Sequence, residues 1–345
     1  MLDKSPSPAK NSYTSRVMHV ERNHFSLKVP FRISRGVKDT IEVINVKLEE
    51  GNHIGWSEGV PYLRFNETAD SAIRAIESVR HVVEAGASRH ELLNLLPPSA
   101  ARNAIDCAMW DLEAKLSRNS VAQLAKLDNP TAVRTALTIS LDTPAQMAQV
   151  AASLPRDALL KVKVDGNRPA EQLRAVRDAA PFAKLIVDPN ESWNENQVRS
   201  MQSLLGKMKV VLLEQPIPAA EDDWLKDFTP LVPLCADEAV LTVDDVPHVA
   251  ERYQMVNIKL DKAGGLTSAL ALARAAEAKG LKIMTGCMIC SSLSIAPALH
   301  IAQLSTFVDL DGSLWLNNDW NNGISEKGGE LLPPSAGFWG GYDAF

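Results

Sequence analysis

Three acidic residues close three consecutive apolar runs: Asp188 in IVDPNESW, Glu214 in LLEQPIP and Asp237 in CADEAV. If these runs are neighbouring strands, about 5 Å apart, the carboxylates stand side by side, and their repulsion calls for a cation. A hard, oxygen-preferring ion such as Mg²⁺ suits this donor set and keeps positions open for water or substrate. Taken singly, each acid could equally cap the helix that follows it. Lys161 and Lys163 lie two apart in LLKVKV, so their side chains point to one side of a strand. Two ammonium groups beside a bound cation disfavour each other's charge, which predicts pKa values lowered toward the range of a general base. Lys259, in VNIKLDKAGGLT, ends a strand on the other side of the three acids. A substrate held on the metal would then have a lysine on each face, an arrangement for moving a proton next to a carboxylate. Solvated strand-end lysines are the plain alternative.

Around this group stand weaker signals. Asp309 and Asp311, in VDLDGSLW, form a second acidic pair suited to an ammonium group, although Asp-Gly turn chemistry explains Asp311 as well. Arg35 and Arg32, in PFRISRG, could hold a distal carboxylate by a bidentate contact. Cys287 and Cys290 have C-x-x-C spacing, but no second pair and no nearby histidine accompany them. They read as small, soft residues of a pocket wall.

The elements that must position these groups recur along the second half of the chain. From about residue 133, eight apolar runs alternate with helical stretches: VRTALTISL, LLKVKV, KLIVD, VVLLE, PLCAD, MVNIKL, KIMTG and TFVDLD. Their polar ends fall at Lys161, Asp188, Glu214, Asp237, Lys259, Gly286 and Asp309, in steps of 22 to 27 residues. That step fits a strand, a crossover helix and two loops, and eight such units most simply close into a barrel with its active groups at the strand ends. An open doubly wound sheet is the alternative, but TISLDTPAQ has no Gly-rich phosphate turn. Ahead of the barrel, residues 16 to about 59 read as strands, with EEGN as a hairpin. Two helices follow, the second placing Ile105, Met109, Leu112 and Leu116 on one face.

The chain of 345 residues, 46% hydrophobic and 23% charged, has the composition of an ordinary soluble protein. A net charge of −6 without a basic block argues against nucleic acid and anionic membrane as partners, and no apolar stretch is long enough to span a bilayer. Residues 1–15 are polar and Ser/Pro-rich and read as a disordered tail without a secretory signal. With four scattered cysteines, this predicts a cytoplasmic location.

Together, KVKVD, VDPNESW, LLEQP, CADEA, VNIKLDKAGGLT, GCMIC and DLDG resemble the enolase superfamily, muconate-lactonising subgroup, and within it the dipeptide epimerases. The resemblance begins near Arg16 and includes PFRISRG, GWSEGVPY and AARNAIDCAMWDL. It implies a (β/α)7β modified TIM barrel at 131–316, an α+β capping domain at 16–130, and a segment at 317–345 that returns to the cap. It implies that Asp188, Glu214 and Asp237 hold one Mg²⁺ per subunit, that Lys163 and Lys259 are the acid/base pair, and that Lys161 opens the KxK motif. Asp309 and Asp311 are implied to bind the dipeptide ammonium. Arg35 and Tyr62 would close over the side chain, Ile289 would join the substrate pocket, and Asn190 and Glu238 would stand behind the metal ligands. The implied reaction is epimerisation of a dipeptide such as L-Ala-D/L-Glu at the C-terminal residue, by two-base proton transfer through a metal-stabilised enediolate, in peptidoglycan recycling. A homo-oligomer is compatible with this. Alternatives are a dipeptide of other sequence, or an N-acylamino acid racemase, o-succinylbenzoate synthase or cycloisomerase on the same scaffold. The DLDG pair argues against these last three, whose substrates carry no free ammonium. A silent dipeptide-binding protein and a Schiff-base aldolase at Lys259 are weaker rivals.

Overall fold

The computed structural model describes residues 16–341; the segment expected as a disordered tail, residues 1–15, lies outside the described residues, as do residues 342–345. Strands β1 (Val17–Ile33), β2 (Gly36–Glu50) and β3 (His53–Gly59) form an antiparallel sheet, with the EEGN turn between β2 and β3. On one face lie α1 (Ala69–Glu84), α2 (Arg89–Leu95) and α3 (Ala100–Ser117), packed around a shared core that includes Ile44, Val46, Ile76 and Ile105. Thr68 and Ser71 start α1 with a capping box. The amphipathic reading of α3 needs correcting. This helix runs between the cap sheet and the barrel and is buried on every side as far as Leu112, whereas Leu116 is 41% exposed near its end.

After α4 (Val121–Ala125) and the short β4 (Val133–Arg134) come eight parallel strands: β5 (Ala136–Ile139), β6 (Leu159–Lys163), β7 (Lys184–Asp188), β8 (Val210–Glu214), β9 (Leu234–Ala236), β10 (Met255–Ile258), β11 (Lys282–Gly286) and β12 (Phe307–Asp309). Each pairs with the next in sequence, as expected of a barrel and not of a doubly wound sheet. The edge strands β5 and β12 are joined through side chains: Thr135 Oγ1 accepts from Leu310 N at 2.9 Å, and Asp311 Oδ2 accepts from Thr138 N at 2.7 Å.

The period of two along each strand sorts the barrel interior into layers. Ala136, Leu159, Ile186, Leu212, Cys235, Met255 and Met284 form one apolar layer. Two residues further on, the same faces carry Thr138, Lys161, Asp188, Glu214, Asp237, Asn257 and Gly286. An apolar plug therefore supports a polar mouth.

Beyond the barrel, β13 (Ser325–Lys327) pairs with β14 (Glu330–Leu332) and β14 with β4, and the chain then runs back to the cap, where Trp56 Nε1 donates to Phe338 O at 3.1 Å. No helix among the described residues is long and apolar enough to cross a membrane.

Three buried carboxyl groups clip the cap to the barrel. Glu58 accepts from Ser291 N at 2.7 Å and from the Ser291 hydroxyl. Asp261 accepts from Val60 N at 2.9 Å and Asn103 Nδ2 at 2.7 Å, and Asp106 from Thr267 N at 2.9 Å and Oγ1 at 2.6 Å. The last approach needs Gly265, at φ 114°, because a Cβ there would stand 2.4 Å from Asp106 Oδ2. Burial pushes Glu58 up to about 8, Asp261 to about 7 and Asp106 to about 6. A carboxyl raised in this way binds its proton more tightly folded than unfolded, so its stabilisation is complete below the ordinary carboxylate range and is lost as pH rises through the folded value. The melting temperature should therefore fall between about pH 5 and pH 8.5, and Glu58→Gln should flatten the upper part of that fall. An identical slope in wild type and variant, read by calorimetry, would contradict the assignment.

Candidate active site

At the mouth, nearly every charge is buried and paired. Lys161, 2% exposed, lies 2.7 Å from Asp309 Oδ2, 2.8 Å from Glu214 Oε2 and 3.2 Å from Asp188 Oδ2. Lys163 reaches Asp188 Oδ2 at 2.5 Å, and Lys259 reaches Asp237 Oδ2 at 2.6 Å. The strand order puts Lys163 on β6 and Lys259 just after β10, flanking the acids of β7, β8 and β9 from either side. Asn190 donates its backbone N–H to Asp188 Oδ1 at 2.8 Å and its amide to Oδ2 at 3.2 Å.

This pairing reverses one expectation for Lys161. Burial opposes its charge, but Asp309, Glu214 and Asp188 outweigh burial and hold it well above the ordinary lysine value. Lys259 is likewise raised: burial and the repulsion of Lys161 oppose its charge, but Asp237, Glu214 and Glu238 together outweigh them. Repulsion between ammonium groups is felt by Lys259 from Lys161, but the surrounding carboxylates outweigh it. Burial raises Glu214, with help from Asp188, to about 7; Asp188 is brought to about 2 because Lys163 and Lys161 outweigh its burial.

The three acids were expected to converge on a cation. Instead each is drawn to an ammonium group, and among the described residues no three His, Cys, Asp or Glu side chains are gathered closely enough to hold a metal ion. Their chemistry still fits one. Glu214 Oε2 and Asp237 Oδ1 are buried without a hydrogen bond, touched only by the charges of Lys161 and Lys262. Such oxygens are donors of the hard kind that Mg²⁺ takes.

The mouth opens into a cleft of ≈ 760 Å³ between barrel and cap, lined by Lys161, Lys163, Lys259, Asp309, Asp311 and Ile289 below and by Arg35 and Tyr62 above. Asp309 keeps Oδ1 buried without a partner. Asp311 lies beyond the strand, opening a 3₁₀ turn, and is engaged by Thr138 N and by Trp315 Nε1 at 3.3 Å. Arg35 donates to Glu238 at 2.7 Å, Glu191 at 3.0 Å and the Tyr62 hydroxyl at 3.1 Å, while Arg32 faces Asp142 at 3.4 Å. Cys287 lines the cleft and Cys290 is buried.

Sequence reasoning passed over Lys262 and Asn257. Lys262 points its ammonium group at the carbonyls of Asp237, Val240 and Asn257, and Asn257 Nδ2 donates to Glu214 at 2.8 Å. The period of two was signal enough for Asn257, two residues before Lys259. For Lys262, a turn further along, there was none.

Comparison with known proteins sets this geometry in a lineage. Residues 15–125 match the mandelate racemase / muconate lactonizing enzyme N-terminal domain, and residues 146–328 match the enolase C-terminal domain-like family. The chain belongs to the enolase superfamily. It is 43% identical to the L-Ala-D/L-Glu epimerase of Escherichia coli K12 over 92% of this chain and 99% of that one. It is also 41% identical to an N-acetyl-D-glutamate racemase from Pseudoalteromonas, over 87% and 95%. Among solved structures, an enolase family member from Agrobacterium tumefaciens with homology to dipeptide epimerases, holding sodium and L-Ala-L-Glu, is 40% identical, with a TM-score of 0.92 over 94% of this chain and 100% of that one. The dipeptide epimerase of Enterococcus faecalis, complexed with Mg and L-Leu-L-Tyr, is 27% identical, with a TM-score of 0.85 over 94% and 98%. The superfamily match and these relatives make the protein an isomerase of the epimerase and racemase class, with the barrel and cap of the enolase superfamily.

Within this enolase-superfamily mouth, Gly286 leaves room for two functional side chains. A Cβ there would stand 2.6 Å from Asn257 Oδ1 and 3.0 Å from Lys259 Cε. If Lys259 meets the substrate, Gly286→Ala should lower turnover at least tenfold, as about 1 Å of displacement at a reacting group can. Turnover and circular dichroism of the variant, read together, check this; full activity in the folded variant would mean that Lys259 has slack.

Proposed function

We propose that this isomerase is a dipeptide epimerase that inverts the α-carbon of the C-terminal residue of L-Ala-D/L-Glu, with one Mg²⁺ per subunit and with Lys163 and Lys259 as its two bases. The observation that carries this reading is the pair of buried lysines on opposite sides of one acidic row, at 2.5 Å from Asp188 and 2.6 Å from Asp237. Mg²⁺ held by Asp188, Glu214 and Asp237 would supply the positive charge that makes the α C–H of a bound carboxylate acidic. One lysine, as the amine, takes the α-proton on its own face. The other, as the ammonium, delivers a proton to the opposite face, so the configuration inverts. Lys161, fixed by three carboxylates, adds a permanent charge on the side where the electrons collect. Asp309, through its unpartnered Oδ1, takes the substrate ammonium.

The second side chain selects the cap. Arg35 is already engaged by Glu191 and Glu238. Lys38 also lines the cleft, its ammonium 5.1 Å from the centre of the Tyr62 ring, and no carboxylate among the described residues pairs with it. Although the residue as a whole is exposed, burial around its ammonium lowers its pKa, a cost that an incoming γ-carboxylate would relieve. Lys38 is therefore the cation assigned to the glutamate side chain. A cytoplasmic role in recycling peptidoglycan peptides accords with this substrate.

A second reading, an N-acylated glutamate, is supported by the 41% identical racemase and by the use of Asp311 within the fold. The buried free oxygen of Asp309 favours the dipeptide. Chiral chromatography of L-Ala-L-Glu and N-acetyl-D-glutamate incubated with enzyme and Mg²⁺ separates the two; faster turnover of the acylated compound reverses the assignment. Lys163→Ala and Lys259→Ala should each lower epimerisation by roughly 10²–10⁴-fold, the usual worth of a positioned base. Retention of activity by both variants removes the two-base scheme. Lys38→Met should cost roughly tenfold or more in kcat/KM for L-Ala-L-Glu and little for L-Ala-L-Leu. An equal loss on both substrates shows that Lys38 does not read the γ-carboxylate.

A further inference from the structure

Glu191 lies next to the acidic row but does not line the cleft, and the reaction outlined above leaves it without a task. Its backbone is unusual. Asn190 and Glu191 are consecutive non-glycine residues in the left-handed region, at φ 50° and 64°, held there in part by Glu191 N donating to Gln215 O at 2.9 Å. That conformation turns the Glu191 side chain up toward the cap, where it is only 8% exposed.

Two separate cap segments meet it. From the turn between β1 and β2, Arg35 Nη1 donates to Glu191 Oε2 at 3.0 Å and to Asn190 O at 3.1 Å, and Ser34 Oγ donates to Pro189 O at 3.1 Å. From the turn after β3, Arg64 grips Glu191 with a fork, Nε to Oε2 and Nη2 to Oε1, both at 2.8 Å. Ala219 N completes the set from the barrel side at 3.2 Å. One carboxylate thus receives four N–H groups, three of them from two arginines on two cap turns. A bidentate network on a carboxylate only 8% exposed, though its arginines are 26% and 39% exposed, holds geometry better than single exposed pairs do. Val37 and Lys38 follow the first turn at the start of β2, Tyr62 and Leu63 lie in the second, and Val37 and Leu63, 61% and 74% exposed, are apolar surface at the cleft edge.

We propose that Glu191 is a positioning residue that, through Arg35 and Arg64, fastens both cap turns to the barrel and closes the cleft over bound substrate. Substrate leaves by opening this latch, so weakening it acts on KM before it acts on kcat.

The kinetic half of the test rests on the dipeptide reading, and the exchange half does not. Full-length wild type, Glu191→Gln, Arg64→Gln and the double variant are compared by hydrogen–deuterium exchange without substrate and by L-Ala-L-Glu kinetics. Glu191→Gln should raise KM roughly tenfold with kcat within about threefold, and amides of residues 33–38 and 61–67 should exchange roughly tenfold faster at an unchanged melting temperature. The double variant should be no worse than the more affected single one, because both remove the same fork. Unchanged KM and exchange, additive effects, a fall in kcat at constant KM, or a general loss of protection with a lower melting temperature would each overturn the proposal. If wild type does not turn over the dipeptide, that failure belongs to the substrate reading, and the exchange data alone judge the latch.

Discussion

The constraint on which the rest of the structure depends is the pairing of buried charge at the barrel mouth. Lys161 sits at its centre, within 3.2 Å of oxygens from Asp309, Glu214 and Asp188, and Lys163, Lys259 and Lys262 complete the set around it. Removing one member of such a group from a low-dielectric site leaves its partner uncompensated, at a cost of about 3–5 kcal/mol. The ladder register of the barrel, the apolar layer beneath and the close approach at Gly286 all serve to keep these side chains at one height. The same arrangement stores the chemistry. Two lysines that are paired with different acids, on opposite sides of one row, can act on opposite faces of whatever that row holds.

The cap depends on a second set of buried groups with another role. Glu58, Asp106 and Asp261 sit where cap and barrel touch, each accepting hydrogen bonds from the opposite side. They fix the rigid base of the cap, including Val60, from which the turn bearing Tyr62 and Arg64 departs. Glu191 acts at the free edge of the same surface. The cap is thus held by buried carboxyl contacts deep inside and fastened by a salt-bridged network at its rim, a division suited to an opening that must not disturb the lysines.

Much of this was legible in the sequence, and for physical reasons. A barrel strand buries both faces and ends in the mouth, so its signature is an apolar run closed by a charged residue, and Asp188, Glu214, Asp237 and Lys259 each stand in that position. The motifs added the superfamily, and the comparisons bear that out. What stayed hidden depends on contacts distant along the chain. The direction of the Lys161 shift could not be read because its strongest partner, Asp309, lies 148 residues away. Arg35 looked free because Glu191 and Glu238 belong to other barrel loops. Leu116 looked buried because helical period cannot distinguish a helix with one covered face from one enclosed along most of its length. Lys262 offered no pattern at all, since a lysine satisfied by three carbonyls needs none.

The central claim is that two lysines handle one proton position from opposite faces, and it is tested most directly by following L-Ala-L-Glu with enzyme and Mg²⁺ in D₂O by NMR and mass spectrometry. The account predicts that at early times the product epimer carries one deuterium at the glutamate α-carbon while the remaining substrate is still protonated, because the proton is removed by one base and solvent deuterium is delivered by the other. Deuterium entering substrate and product equally from the start, or no exchange at all, would contradict it.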